Sequence, residues 1–457
     1  MAKPTLDDLR ASVHGQVISA DDSGYDEARK VYNGSIDKRP LVVVRPMNAG
    51  DVISVVNFAR ESAVDLSVRG GAHSAPGFGT NDGGAVIDLS NMRGVRVDPL
   101  SQTARVEGGA LLGDVGAATY AFGLAAPGGI IASTGVGGLT LGGGIGYLSR
   151  GFGLSIDNLL SADVVTADGK FLIASDKENE DLFWALRGGS GNFGVVTSFE
   201  FQLHPVKDVQ VGIFFYELEH AKSVLEFYRD YIKDAPEQIG CYPMFAIAPP
   251  LPFIPEEHHG RTFVGMVSCW SGPLDQGEKQ LAPIQNIAPR VGELFTPMPL
   301  PALNSAFDPL LPPGLSHYWK GAFATELTDG AIAAHIEHGP KIPVMQSAMH
   351  IYSINGAVHR VPSDATAFGH RDATFATVIG GMNPDPSKQD EVVSWVKNYH
   401  EALVPHSGEG AYVNFTDGDD QGRAKANYGA NYERLAQIKK KYDPDNLFHV
   451  NHNIKPA

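Results

Sequence analysis

Val68-Arg69-Gly70-Gly71-Ala72-His73-Ser74, followed by Gly83-Gly84 and the apolar run Ala85-Val86-Ile87-Asp88-Leu89, is the stretch around which the chain is organised. Paired glycines tolerate backbone geometries that other residues resist, and they let main-chain N–H groups approach an anion with no Cβ in between. Such a loop suits a pyrophosphate. His73 ends it, where a neutral imidazole faces whatever the loop cradles, and imidazole nitrogen is a competent nucleophile. Taken alone, the stretch fits two readings: a turn between strands whose histidine bonds the backbone, or a phosphate cradle with a nucleophile at its end.

At 457 residues the chain exceeds the size at which one core stops growing, so two lobes are expected. Charged residues are 19% and hydrophobic residues 43%, an ordinary globular composition. The 52 glycines depart from it, and their concentration between Gly108 and Gly194 marks a binding surface rather than a flexible tract. A formal net charge of −16 excludes a nucleic-acid partner as the expectation. Cys241 and Cys269 have neither a disulfide framework nor metal-ligand spacing and read as buried thiols. The start carries no apolar signal segment, and no apolar run of about 18 residues occurs, so no membrane association and a cytoplasmic location are expected.

The pattern predicts helices over 5–12 and 24–32, a strand over 41–44, and a helix over 48–60 with Val52, Val55, Val56 and Ala59 on one face. A short strand over 66–68 then leads into the glycine loop. Strands over 93–98 and 103–107 precede a helix over 111–122 that stops at Gly123. In 126–154 the glycines are dense enough to predict no stable helix, and backbone packed against a flat, bulky ligand instead. Strands follow over 160–166 and 171–173, then a helix over 181–187. Gly189, Gly191 and Gly194 match a dinucleotide fingerprint formally, but that site needs a strand before it and a helix after it. The order here is reversed, so nicotinamide binding is rejected.

Beyond Pro205 the pattern predicts a helix over 220–231, a strand over 262–269 and a loop-rich, proline-rich cap over 240–315. Tyr318-Trp319-Lys320 and His350-Ile351-Tyr352 fall on strands, where alternation puts Tyr318 with Lys320, and His350 with Tyr352, on common faces. The tail has a strand over 411–415 and a helix over 425–441 ended by Asp443-Pro444. No internal repeat is found.

The His73 loop, the run Gly128–Gly146 with Gly153-Leu154 and Asp157-Asn158, the block 187–201 and the tail from Tyr412 to Asn453 occur in this order over most of the chain. Together they resemble the berberine-bridge-enzyme-like FAD-linked oxidases, most of all their bacterial branch, within the vanillyl-alcohol-oxidase superfamily. The resemblance implies an α+β fold: a PCMH-type FAD-binding domain over 1–205, a substrate-binding domain over 206–404 and a tail over 405–457 returning to the FAD lobe. The middle domain would be an antiparallel sheet covered by helices, its open face roofing the isoalloxazine.

FAD is the implied cofactor, bonded through its 8α-methyl carbon to His73. Its other implied contacts are Arg69, Gly70, Gly71, Ala72 and Ser74; Gly129, Thr134, Gly135, Gly137, Gly138, Gly142 and Gly146; Leu154, Asp157 and Asn158; Gly194, Val195 and Val196; and Tyr412, Asn414, Asn451 and Asn453. Asn451 and Asn453 resemble tail amides that hydrogen-bond or position the flavin ring, and turn capping is their other reading. Many relatives carry a second anchor, a cysteine bonded to flavin C6. Aligning on Gly135-Val136-Gly137-Gly138 puts Ile131 there, which cannot supply a thiolate, so a single link is expected.

The implied reaction moves a hydride from a small alcohol, sugar or secondary-metabolite substrate to flavin N5, with O₂ reoxidising the flavin to give H₂O₂. The accompanying proton needs a base, which contributes about a hundred- to ten-thousand-fold. Some relatives place a tyrosine base where this chain has Phe415, which leaves Tyr412 first. Its phenol, ordinarily near a pKa of about 10, needs cations or the flavin environment to depress it. Tyr352, Tyr318, His350 and Lys320 stand behind it, each with structural packing as the alternative reading. Glu256-Glu257-His258-His259 and His335-Ile336-Glu337-His338 lack the spacing of a zinc helix, and no metal is expected. The alternatives are a dehydrogenase using another acceptor and a flavin-carrying binding protein without turnover.

Overall fold

The computed structural model describes residues 3–457, with Asp420 and Gln421 by their backbone alone. Among the described residues three sheets carry the fold. In the first, the strands run in the order Gln16–Ser19, Val42–Arg45, Ala85–Asp88, Leu66–Arg69. Ala85 pairs in parallel with both Val42 and Leu66. The crossover is the helix Ala49–Ser62, started by Asn48, whose side chain accepts from the Asp51 N–H. It stops on Ala63 in the left-handed region at φ 53°. Val52, Val55, Val56 and Ala59 pack onto the strands as the spacing predicts.

The second sheet is antiparallel, in the order Val95–Asp98, Thr103–Glu107, Val195–Gln202, Leu159–Val165, Phe171–Ser175. A helix, Glu180–Leu186, precedes the glycines of 188–194 and a strand follows them, the reverse of a nucleotide fingerprint. The expectation that the glycine run holds no helix is wrong. Val136–Gly142 is helical because Val136, Thr140 and Leu141 are buried, so packing supplies what propensity lacks, and Gly143 ends the turn at φ 135°.

The third sheet has seven antiparallel strands, in the order Arg290–Pro299, Asp208–Tyr216, Thr262–Trp270, Ile239–Ile247, Ala348–Ser353, Phe375–Asn383, Ser316–Ala324. Residues 240–315 are therefore strands and helices as much as loops; the prolines fall in turns, in strands, as Pro243 does within Ile239–Ile247, and even inside the helix Gly277–Gln285. Helices Ala221–Asp234, Gly277–Gln285, Asp329–His338 and Gln389–Leu403 cover one face, burying Val224, Tyr228, Leu281, Ile332 and Val396 against Met349, Ile351 and Ile379. The other face packs Tyr242, Tyr352 and Val378 toward Ile145, Tyr147, Leu154 and Tyr412.

Arg150, at 2% exposure, locks the two halves together. Its guanidinium donates to the carbonyls of Pro236, Ile239, Ile232 and Ala235 and to Asn355 Oδ1, at 2.7–3.3 Å. The tail returns to the first half: Leu435, Ala436 and Ile438 pack with Phe183 and Trp184. Its expected single helix is two, Ala424–Tyr428 and Tyr432–Tyr442, broken where Gly429 turns to φ 55°. The expected strand over 411–415 is a tight turn, Val413–Phe415. Among the described residues no helix is long and apolar enough to cross a membrane.

Candidate active site

Between the glycine loops and the open face of the seven-stranded sheet lies a cavity of about 350 Å³. The strand Leu66–Arg69 delivers Gly70, Gly71, Ala72, His73 and Ser74 to its wall. A Cβ on Gly71 would stand 2.3 Å from the Gly135 nitrogen, and one on Gly135 2.2 Å from the Gly71 nitrogen. Only glycine at both positions lets these segments touch backbone to backbone. Gly138 and Gly191 also line the cavity, and a Cβ on either would meet nothing within 4 Å, so their bare backbone fronts empty space. Gly129, Thr134, Gly137, Gly194 and Val196 complete that side.

Arg69 borders the cavity, but its guanidinium is spent elsewhere. It donates to Asp88 Oδ2 at 3.0 Å, to Lys30 O at 2.7 Å and to Ala28 O. Asp88 also takes Arg45 Nε at 2.9 Å. Arg69 therefore anchors the base of the loop through both of its terminal nitrogens.

His73 stacks on Tyr32, ring centroids 3.8 Å apart and 22° between planes. Its Nε2 is buried without a hydrogen-bond partner among the described residues. Burial, then neighbouring His317, pushes its pKa down to about 3 against an opposing backbone contact with Ser133, so the imidazole is neutral.

The roof comes from the neighbouring strands of the large sheet. Trp319, His350, Tyr352, Val378 and Met382 reach the cavity. His350 Nδ1 and Tyr352 Oη lie 2.8 Å apart. Tyr242 backs both, its ring 5.0 Å from His350 and 4.9 Å from Tyr352. Burial pushes His350 down to about 4, and burial followed by Tyr242 pushes Tyr352 well above the usual phenol range. A phenol bonded to a neutral imidazole can release its own proton while it takes another.

Tyr412 is also at the cavity, but its hydroxyl oxygen is occupied. It accepts from the Gly144 N–H at 2.7 Å and from Asn414 Nδ2 at 2.8 Å, which fills both lone pairs. Burial outweighs these donors and pushes its pKa up to about 12. Asn414 donates as well to Leu139 O at 3.1 Å, and a Cβ on Gly142 would lie 2.5 Å from the Asn414 carbonyl oxygen.

Other expected residues stand apart from the cavity. Tyr318 and Lys320 do share a face, but it is the wrong one. Tyr318 Oη and Lys320 Nζ each donate to Asp419 at 2.6 Å, and Lys397 of the covering helix sits over the Tyr318 ring. Trp319 between them reaches the cavity. Asp157 is held bidentately by Arg371 at 2.7 and 2.8 Å. Asn158 Oδ1 meets His204 Nε2 at 2.6 Å, and its amide nitrogen donates to Phe152 O and Leu154 O. Leu154 and Val195 are core, and Gly146 lies so close to Gly128 that a Cβ would stand 1.8 Å from the Gly128 carbonyl oxygen. Asn451 lines the cavity and donates to Gly191 O at 3.1 Å and Phe448 O at 3.0 Å. Asn453 does not line it, and its Oδ1 is buried without a partner among the described residues.

Sequence reasoning passed over Trp319, Met382 and His452. His452 lines the cavity with its Nε2 3.1 Å from Thr416 Oγ1, and it sits between the two asparagines that were singled out. Strict alternation about Tyr318 would have found Trp319.

The residues fit FAD. Bare glycine backbone at Gly138 and Gly191 fronts the space, and the neutral His73 stands at its edge with a partnerless nitrogen. Ile131 lines the cavity, whereas Cys241 and Cys269 are buried in the large sheet outside it, their thiols pushed up by burial.

Comparison with known proteins agrees. Residues 40–175 match the sequence profile described as FAD binding domain, and residues 411–455 that described as berberine and berberine like. An FAD-linked oxidoreductase of Dictyostelium discoideum is 34% identical, over 100% of this chain and 98% of its own. The (R)-6-hydroxynicotine oxidase of Paenarthrobacter nicotinovorans is 31% identical, over 97% of each. The crystal structure of 6-hydroxy-D-nicotine oxidase from Arthrobacter nicotinovorans superposes with a TM-score of 0.87 at 28% identity, covering 100% of both chains.

Proposed function

The chain belongs to the FAD-linked oxidoreductases of the berberine and berberine-like family, and from that premise we propose an oxidase that takes a hydride from a small substrate and passes the electrons to dioxygen, releasing hydrogen peroxide. We assign 1–205 and 405–457 to holding FAD and 206–404 to the substrate. When bound, FAD supplies the hydride-accepting N5 and the electron store that dioxygen empties.

The protein's part is to hold, orient and move a proton. His73 bonds the flavin at its 8α carbon as the single covalent link, since Ile131 offers no thiolate. Gly138 and Gly191 give the cofactor bare backbone, while Gly71 and Gly135 let the two loops that border it touch. As the hydride departs, Tyr352 Oη takes the substrate proton and donates its own to His350 Nδ1, with the imidazole proton on Nε2. His350, neutral at rest, holds the proton only until the formation of hydrogen peroxide consumes it. Tyr412, whose lone pairs are filled by Gly144 and Asn414, keeps the floor in shape instead.

Among the described residues lining the cavity Arg69 is the one Arg, Lys, Asp or Glu, and its terminal nitrogens are bonded to Asp88 and to the carbonyls of Ala28 and Lys30. A neutral, ring-bearing metabolite with a hydroxyl or amine at the reacting carbon fits this roof better than a sugar, whose many hydroxyls each need a partner. The relative named (R)-6-hydroxynicotine oxidase is named for a ring-bearing compound.

The observation that carries this reading is that His73 and the Tyr352–His350 pair border one cavity from its two walls. The test is anaerobic mixing with ring-bearing alcohols, amines and sugars, watching the flavin bleach, then admitting dioxygen and assaying peroxide. Bleaching followed by peroxide supports an oxidase. Turnover with a dye but not dioxygen makes it a dehydrogenase, and no bleaching by any compound makes it a binding protein.

A further inference from the structure

Besides a backbone contact with Ser133, packing is what orients the His73 ring. Its Nε2 lacks a partner, and the residue before it, Ala72, is held in the left-handed region at φ 60°. What meets the ring face is Tyr32, nearly parallel at 3.8 Å. Tyr32 is itself fixed from several sides. Its N–H donates to Ala72 O at 3.1 Å, its carbonyl accepts from the Gly314 N–H at 2.9 Å, and its hydroxyl donates to Leu311 O. The next residue, Asn33, at 3% exposure, donates to Ala75 O at 2.6 Å and His317 O at 3.2 Å and accepts from the His317 N–H at 3.0 Å. The segment 32–33 thus clasps the His73 loop on one side and the approach to the strand Ser316–Ala324 on the other. Tyr32 does not line the cavity, so it acts behind the histidine.

We propose that Tyr32 is a positioning residue for covalent flavin attachment: its ring, locked between the two halves of the protein, holds the His73 imidazole in line with the flavin 8α carbon. This rests on the His73 link proposed above. In the step, a carbon–nitrogen bond forms between the imidazole and the 8α carbon. One methyl C–H bond and the imidazole N–H break, the released electron pair and protons reduce the flavin itself, and dioxygen restores it while becoming hydrogen peroxide. Attack along such a line loses about a hundredfold when the partners are misplaced by roughly an ångström.

The test uses the full chain as expressed. Bound FAD per chain is read in the native protein, and the fraction that stays with the acid-precipitated polypeptide is followed at purification and during incubation with FAD. In Tyr32→Leu, and in Tyr32→Met as the bulkier substitute should leucine not fold, FAD is expected to bind one per chain but to become covalent about ten- to a hundredfold more slowly. Tyr32→Phe keeps the stack and is expected to match the wild type, which a merely structural loss at this position would not predict. Covalent attachment at the wild-type rate in either folded non-aromatic variant overturns the proposal, and so does a Tyr32→Phe as slow as the others. If wild-type flavin goes to the supernatant, or the yellow peptide lacks His73, the underlying link fails instead.

Discussion

Gly71 and Gly135 meet with no room for a methyl group, each Cβ position lying within 2.3 Å of the other's backbone nitrogen. Gly71→Ala or Gly135→Ala must push two backbones apart beneath the cavity. Overpacking of this kind costs about 1–3 kcal/mol, and both variants are expected to lose FAD as well as stability. Gly138→Ala is the contrast: its Cβ meets no protein atom, so the melting temperature should hold while FAD retention falls. A Gly138→Ala protein with normal FAD content would take that backbone out of the cofactor site.

Tyr352→Phe should slow anaerobic flavin reduction by about a hundred- to ten-thousand-fold in stopped flow with little change in stability. Tyr412→Phe should do the reverse. It leaves the buried Gly144 N–H and one of the two Asn414 amide N–H groups without an acceptor, at a cost of about 1–3 kcal/mol. Lys320→Met should reduce flavin at the wild-type rate, because its ammonium is tied to Asp419 on the far face. Equal rates for Tyr352→Phe and wild type would return the proton to another group.

Lys439 is wholly buried, donating to Asp443 Oδ2 at 2.6 Å, Asn192 O at 2.8 Å and Phe448 O at 2.9 Å. Lys439→Met strands the Asp443 carboxylate, so urea denaturation should show a loss of about 3–5 kcal/mol. A loss below about 1 kcal/mol would mean that the pair barely repays its desolvation.

Acid should destabilise the protein through its buried histidines. Burial holds His317 and His350 down at about 4 and His335 at about 3, against an ordinary value of 6.5. Below about pH 6.5 the unfolded chain takes protons that the folded chain refuses. Stability therefore falls between about pH 6.5 and about pH 4, by up to about 1.4 kcal/mol per pH unit for each group, and is unaffected by them at higher pH. Denaturation midpoints across that window test it. His335→Gln, remote from the cavity, should flatten the slope, and a flat wild-type profile would contradict the assignment.

The sequence displayed its glycine blocks and strand alternation plainly, since both are local. The roles of single side chains depended on partners far away in the chain. Arg69 belongs to the motif that marks the loop, yet only the approach of Asp88 and the carbonyls of residues 28 and 30 makes it an anchor. Asp157 looked like a cofactor residue until Arg371, over two hundred positions on, claimed it. Alternation paired Tyr318 with Lys320 correctly but could not say which face was covered, because the covering helix Gln389–Leu403 comes later. Helix Val136–Gly142 forms against propensity because burial of Val136 and Leu141 outweighs the entropy of its glycines.

The large sheet divides its labour residue by residue. Positions 319, 350, 352, 378 and 382 point into the cavity, while their neighbours Met349, Ile351 and Ile379 are sealed under helices. Chemistry and cohesion therefore alternate along the same strands. A lineage, or an engineer, can rewrite what the enzyme accepts at every second residue and leave untouched the interleaved positions that keep the roof standing. Specificity should drift faster here than the fold that carries it.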